Sequence, residues 1–519
     1  MTSLTACTSY ADAQSHFSPE KLWELVDGNT EDLNIAYECI DRHVHRDRTA
    51  VIIAHADGRD ELLSFQEIAT TSAQVAHYLR DAGVCKGDRV GIMLEPSLHF
   101  YASLFGVLKL GAIAVPLFTL FGPDGLRLRI EDCEPRILIT NPEKESVAAS
   151  IANLKTVIAG DNWLQELRGY PTYFASNTNS DDLAIFQYTS GTTRELPDAV
   201  RHTHRALVMV LRAALYGTGV RPGERFFCPS SPAWGHGLWH GTLAPLALGA
   251  TIGSYSGKFA PERLLKALHD HQFINLSAAA THYRMIRNSG AVDRYKFVLT
   301  KLTFTGEPID SETREFVSEK FRCDVCSMYG TTEIGVILVS YPGATDFPVK
   351  ADSLGKAVPG VKVEVHNPDG QPCAPGESGE IVVWRGGKWL PTKDLGRIDS
   401  DGYFYHRGRA DDVIISAGWT MSAVEIEDAI LKHPDVREAA AIAVPDAIRG
   451  QVVKAIVVAG RVGDERLTKE IQDAVRERLS QHEYPRVVEY VDALPKNPAG
   501  KVNRKALRDR EKAASEISS

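Results

Sequence analysis

Between residues 60 and 340 short apolar runs recur, separated by stretches of helical spacing, and this alternation limits the fold more than any other feature of the chain. "DRVGIML" (88–94), "AIAVPL" (112–117), "RILIT" (136–140), "LAIFQYT" (183–189), "RFFCPS" (225–230) and "KLTFTG" (301–306) read as strands, and "SLHFYASLFGVLKL" (97–110) reads as a helix between two of them. Strands apolar on both faces must be covered on both, which predicts largely parallel α/β sheets flanked by helices. One stretch, "YASLFGVLKLGAIAVPLFTLF" (101–121), is long enough to cross a bilayer. Lys109 in its middle, with Gly106, Gly111 and Pro116, favours a buried helix ending near Leu110, a glycine turn and a buried strand.

The pattern changes near residue 350. "VKVEVHNPDGQPCAPGESGEIVVW" (361–384) has short alternating runs joined by Gly, Pro and Asn, and predicts a small antiparallel, barrel-like β unit. Past "YFYHRGRADDVII" comes an α+β tail. Its parts are a Ser-capped helix over 422–434, strands "REAAAIAVP" and "VVKAIVVAG", and an amphipathic charged helix over 464–480. The boundary is expected at 407–412, and the last residues, "REKAASEISS", are expected to fray.

The 519 residues allow about three domains. A net charge of −9 argues against a nucleic-acid partner, so any phosphate site must be local. The 8 cysteines are scattered and form no disulfide framework. Cys323 and Cys326 make a lone CxxC without the second pair that zinc needs, and read as structural strand residues. The opening "MTSLTACTSYADAQSHF" lacks the basic and apolar regions of a signal peptide, and a cytoplasmic protein without a membrane span is expected.

The strand "LAIFQYT" leads into "SGTT", where small residues let backbone N–H groups and hydroxyls approach phosphate oxygens. This is not a Walker A loop. In order along the chain follow "TGEPI" (305–309), "MYGTTE" (328–333), "TKDLGRIDSDGYFYHRGRADDVI" (392–414) and "LPKNPAGK" (494–501). The ordered set resembles the adenylate-forming (ANL) superfamily of acyl-CoA synthetases, carrier-protein adenylation domains and luciferases, over roughly residues 20–510. "LNIAYECIDRH", "SPAWGHGLWHGTLAPLALGA" and "VPDAIRGQVVKAIVV" resemble its acetyl- to medium-chain acyl-CoA synthetase branch.

The resemblance implies a large N-terminal domain, 1–408, of two α/β subdomains plus the β unit, and a small mobile α+β C-terminal domain, 409–519. It implies ATP, Mg2+ and coenzyme A as cofactors and a small to medium carboxylic acid as substrate. Thr189, Ser190, Gly191, Thr192 and Thr193 match the phosphate loop; Gly306, Glu307, Pro308 and Tyr329 match the adenine pocket. Thr332 matches the α-phosphate contact and Glu333 the magnesium ligand, a carboxylate suited to a hard cation. Asp394 and Arg409 match the ribose contacts, Lys501 the adenylating lysine, Asp411 the hinge and Gly418 the glycine beside the coenzyme A tunnel. Trp234, His236 and Gly330 match the acyl pocket. Two departures stand out. Asp198 and Ala199 occupy the places of a lysine and a glycine after "TSGTT", so that either Arg194 or Arg201 supplies the missing positive charge or the loop is mobile and the position dispensable, and Lys393 replaces the glycine before Asp394. The rival readings are a stand-alone adenylation enzyme that loads a carrier protein and a catalytically silent nucleotide-binding paralogue. The sequence leaves the oligomeric state and the identity of the acid open.

Overall fold

The computed structural model describes residues 3–46, 48–188, 199–331, 334–409, 413–416, 419–446, 450–479, 484–497 and 501–518. The chain divides into two compact units, Met1–Thr305 with Val317–Pro348 and Val358–Gly360, and Gly306–Phe316 with Val349–Ala357 and Val361–Ser519.

The first unit contains two sheets. One runs in the order Thr156–Ile158, Ile137–Thr140, Arg89–Met93, Ile113–Pro116, Leu183–Gln187, Val200–Thr203. It is parallel except for its last pair, which is antiparallel. The other runs Gly335–Val339, Val325–Thr331, Lys301–Thr305, Asn275–Ala279, Arg225–Phe227, Thr251–Ser256, Thr49–His55, Asp60–Ser64. Its interior is parallel and only its two terminal pairs are antiparallel. The apolar runs of the sequence are these strands, buried almost throughout, as strands covered on both faces must be.

The stretch at 101–121 is a helix, a turn and a strand. Ser97 caps the helix Leu98–Leu110 by accepting from the Phe100 N–H, and Gly111 ends it at φ +76°, a conformation that favours glycine. Gly106 lets the helix Phe65–Asp81 approach closely, since a Cβ there would lie 2.7 Å from Val75 Cβ. Lys109 is only 2 % exposed, and its Nζ donates to Asp41 Oδ1 at 2.7 Å and to the Ala69 carbonyl at 2.9 Å. Burial lowers the Lys109 pKa and raises that of Asp41, with their mutual attraction opposing both shifts. Among the described residues no helix is long and apolar enough to cross a membrane. All 8 cysteines are free thiols. Cys326 lies in the strand Val325–Thr331, whereas Cys323 lies outside it, between helix Ser311–Phe321 and that strand.

The second unit holds an antiparallel sheet in the order Val363–His366, Ser378–Arg385, Lys388–Ile398, Phe404–Arg409, Ser353–Ala357. It also holds the three-stranded sheet Val436–Asp446, Gly450–Ala459, Val487–Tyr490. In the run "REAAAIAVP", Ala439 and Ala441 pack with Ile426, Ile430, Leu467 and Ile471 of two helices. Ala440 and Ile442 point the other way, to Ile456, Leu494 and Leu507, as the period of two requires. Leu507 belongs to the helix Arg504–Ser518, so the expected fraying of 510–519 does not hold up to Ser518. Leu507 anchors this helix in the core, and Lys454 pairs with its Glu511 at 2.7 Å.

The Lys109–Asp41 pair generates a prediction. Lys109→Met should cost about 3 kcal/mol, the lower end for a broken buried pair because the Asp41 side chain keeps 26 % exposure. Adding Asp41→Asn should recover most of that loss. Urea unfolding of the single and double variants checks this, and a double variant no more stable than the single would refute it.

Candidate active site

The strand Leu183–Gln187 ends in Gln187, only 2 % exposed, just before the "TSGTT" segment. Its amide lies against the eight-residue π-helix His236–Leu243, where the Trp239 indole N–H donates to Gln187 Oε1 at 3.1 Å. Glycines permit this turn. A Cβ at Gly237 would lie 2.2 Å from the Ser231 carbonyl oxygen, and one at Gly241 would lie 2.9 Å from Cys228 Cβ. π-Helical turns are rare and cluster at functional sites.

His236 is 4 % exposed and held through both ring nitrogens, Nδ1 at 2.9 Å from Ser230 Oγ and Nε2 at 2.8 Å from Ser277 Oγ. Trp234 meets it edge to face at 5.3 Å. The structure thus brings together the two aromatic residues singled out for the acyl pocket. Cys228 Sγ lies 3.8 Å from His236 Nδ1, but burial pushes its thiol up to about 12, so it is protonated at neutral pH and is no nucleophile. The His202 ring centroid sits 4.9 Å from that of Trp239. Burial pulls His202 and His240 down to about 4, so both imidazoles are neutral at pH 7.

Tyr329, half-buried, and Gly330 lie in the strand Val325–Thr331, with an irregularity of register between them. A Cβ at Gly330 would lie 2.1 Å from the Gly335 carbonyl oxygen, so the neighbouring backbone alone demands glycine there. Gly306 directly follows the strand Lys301–Thr305 at φ +95°. Beyond Glu307 and Pro308, Asp310 Oδ1 accepts from the Thr313 N–H at 2.8 Å at the start of the helix Ser311–Phe321.

In the second unit Asp394 and Arg409 are direct cross-strand partners in the antiparallel pair Lys388–Ile398 and Phe404–Arg409. Asp394 is 6 % exposed, and His406 Nε2 lies 3.7 Å from its Oδ1. Lys393, in the place of a glycine, has φ +63°, and its N–H donates to Glu380 Oε1 at 2.9 Å. The glycine-type backbone therefore persists with a lysine in it. The turn carrying Lys501 is closed at both ends by Asn497, whose Oδ1 accepts from the Lys501 N–H at 3.0 Å and whose N–H donates to the Lys501 carbonyl at 2.8 Å. Lys496 in the same motif pairs with Glu438 at 2.8 Å.

Thr189, Ser190, Gly191, Thr192, Thr193, Arg194, Asp198, Thr332, Glu333, Asp411 and Gly418 lie outside the described residues, as does the side chain of Arg409. Magnesium therefore has its expected carboxylate, Glu333, outside them. Within them only His433, Asp435 and Glu470 come close enough to share a metal, and Arg461 already bridges that Asp and Glu. Sequence reasoning passed over Gln187, His202, Ser230 and Ser277. The one available signal was a lone polar residue ending the run "LAIFQ".

The profile of the family described as AMP-binding enzyme matches residues 40–388, and that of the AMP-binding enzyme C-terminal domain matches residues 425–501. An uncharacterized acyl–CoA ligase of Bacillus subtilis, YtcI, is 32 % identical over 89 % of this chain and 93 % of its own. The acetyl-coenzyme A synthetase of the same organism is 29 % identical over 96 % and 94 %. Among solved structures, the anthranilate CoA ligase AuaEII in complex with anthranoyl-AMP superposes with a TM-score of 0.85 at 25 % identity, covering 96 % of this chain and 100 % of that one.

The left-handed backbone at Lys393 predicts opposite effects of two substitutions. Lys393→Gly should be neutral or stabilise by up to about 1 kcal/mol, while Lys393→Val should cost at least about 1 kcal/mol, because a branched Cβ crowds this conformation. Equal midpoints in urea unfolding would contradict the assignment.

Proposed function

The chain belongs to the AMP-binding enzyme family and is an ATP-dependent acid–thiol ligase of the acyl-CoA synthetase kind, and we propose that it activates a small to medium carboxylic acid. ATP, magnesium and coenzyme A are its cofactors. In the first half-reaction a carboxylate oxygen attacks the α-phosphorus of ATP, the bond to the β-phosphate oxygen breaks, and pyrophosphate leaves. In the second the thiol sulfur of coenzyme A attacks the acyl carbonyl and AMP leaves. Positioning and charge stabilisation carry most of such a phosphoryl-group step.

The observation that carries the residue assignment is the cross-strand pairing of Asp394 with Arg409. It sets a buried carboxylate, suited to accept from vicinal hydroxyls, on one strand with the backbone of Arg409 directly opposite on the next, and the ribose is the ligand that fits this pair of residue types. Tyr329 and, separately, Gly306, Glu307 and Pro308 are supported by motif order as adenine contacts, and Trp234, His236 and Gly330 as residues of the acyl pocket. Motif order supports Thr189–Thr193 as the phosphate loop, Thr332 as the α-phosphate contact, Glu333 as the magnesium ligand, Asp411 as the hinge and Gly418 as the coenzyme A contact. The same reading sets the domain boundary between 408 and 409. Of the two arginines that could replace the missing loop lysine, Arg201 stacks over Phe186 at 5.1 Å, which favours Arg194. A cytoplasmic location fits the free cysteines. Thioester formation with free coenzyme A separates this function from carrier-protein loading. Carboxylate-dependent exchange of pyrophosphate into ATP separates it from a silent paralogue.

Lys501 tests the two half-reactions apart. Its ammonium would stabilise charge on the α-phosphate during adenylation and take no part in thiol attack. Lys501→Ala should slow pyrophosphate exchange by on the order of 10²-fold or more, as loss of a charge-stabilising donor does. Supplied acyl-adenylate should still be converted to thioester at close to the parent rate. Lys496→Ala, which loses only the ion pair to Glu438, should be much milder. Equal loss in both half-reactions of Lys501→Ala would refute the assignment.

A further inference from the structure

Gln187 presents a buried donor whose direction is fixed. An indole N–H can only donate, so the bond from Trp239 assigns Oε1 to that side and turns the amide NH2 the other way. Gln187 Nε2 is fully buried and has no hydrogen-bond partner among the described residues. Gly235 faces it without a side chain, since a Cβ there would lie 3.3 Å from Nε2. His202 sits on the adjacent antiparallel strand, opposite Ile185, on the same face of the sheet as Gln187. Its Nε2 is also buried without a partner among the described residues, and its ring packs on the same indole. Two polar atoms therefore flank Trp239 unused. A buried amide left unpaired costs about 1–3 kcal/mol, and native structures seldom retain one without a purpose.

Both groups are neutral, and among the described residues no Lys or Arg makes a hydrogen bond, ion pair or ring contact with Gln187, His202 or Trp239. Among the described residues a second carboxylate placed here would find no counter-charge, which is costly when buried, whereas a neutral oxygen would satisfy the amide. We propose that Gln187, with His202 beside it, determines the substrate class of the enzyme: the acid it activates carries a second, uncharged oxygen, a hydroxyl or an oxo group, that accepts from Gln187 Nε2. This rests on the reading above that the π-helical segment lines the acyl site.

The test is pyrophosphate exchange over matched acids: butyrate with 4-hydroxybutyrate, pentanoate with 4-oxopentanoate, benzoate with hydroxybenzoates, and succinate as the doubly charged probe. The parent enzyme should favour the oxygen-bearing member of at least one pair by tenfold or more in kcat/KM, and should discriminate against succinate. Gln187→Met keeps the length and removes the donor; it should reduce that selectivity ratio about 10- to 100-fold, mainly through the KM of the oxygenated acid. Trp239→Phe frees Oε1 and so releases the amide orientation; it should reduce the ratio as well while the ring stays packed. A variant in which both members of the pair lose activity equally, with the ratio unchanged, would show that Gln187 only supports the fold and would overturn the inference. A parent enzyme that prefers the plain acid in every pair, or prefers succinate, would also overturn it while leaving the acyl-CoA synthetase reading intact. A folded parent that exchanges pyrophosphate with no acid at all would overturn that reading, and the inference with it.

Discussion

Parallel strand pairing in the first unit is the constraint on which the rest of the structure depends. Parallel neighbours cannot be joined by a tight turn, so each connection must cross over, and the crossovers cover both faces of the sheet. The same geometry sends the carboxyl ends of successive strands to one edge. In one sheet Gln187 closes such a strand, and in the other Ser230 follows the strand that ends at Phe227 and Gly306 the strand that ends at Thr305. Open α/β sheets bind ligands beyond those ends because backbone N–H groups and short side chains emerge there together. The covered faces supply rigidity and the edge supplies chemistry.

The polar groups around the π-helical segment His236–Leu243 are neutral by construction. His236 shares both ring nitrogens with hydroxyls. Burial keeps His202 and His240 uncharged well below neutral pH, and the Cys228 thiol stays protonated. In a low-dielectric setting an added charge would be expensive, so recognition must run through neutral hydrogen bonds and shape. On the proposed assignment the charged steps of the chemistry fall to other residues, Asp394 and Lys501 among those described.

The sequence made the strand–helix alternation legible because strands buried on both faces must be apolar throughout, as at 88–94 and 136–140. Lys109 correctly argued against a membrane span, but its partner Asp41, 68 residues away, was invisible, since only the fold brings them together. The terminal helix was misjudged because its composition is that of a frayed end; Leu507 and Glu511 are held by strands that no local pattern reveals. Lys393 raised a question about backbone shape that composition could not answer, and the left-handed φ there answers it. Gln187 and His202 were passed over for a different reason. Each is an ordinary polar residue in sequence, and becomes informative only when burial removes water and Trp239 fixes the amide.

The two lysines of "LPKNPAGK" show how local bonding separates residues that spacing leaves equivalent. Lys496 is tied to Glu438, a half-exposed pair worth ~0–1 kcal/mol, yet enough to direct its head group toward its own sheet. Lys501 has its backbone fixed by Asn497 on both sides, and the bridge between Lys496 and Val502 sets the base of the turn. A long side chain on a pinned backbone loses less freedom when its ammonium is captured than one on a loose loop. Asp394 and Arg409, in contrast, are paired across a sheet and move only as a body. On the proposed assignment, ribose contacts on a sheet and a lysine on a separate turn would let the lysine be withdrawn without releasing the nucleotide. That separation is what a two-pose reaction cycle needs if adenylation and thiol attack are to share one bound intermediate.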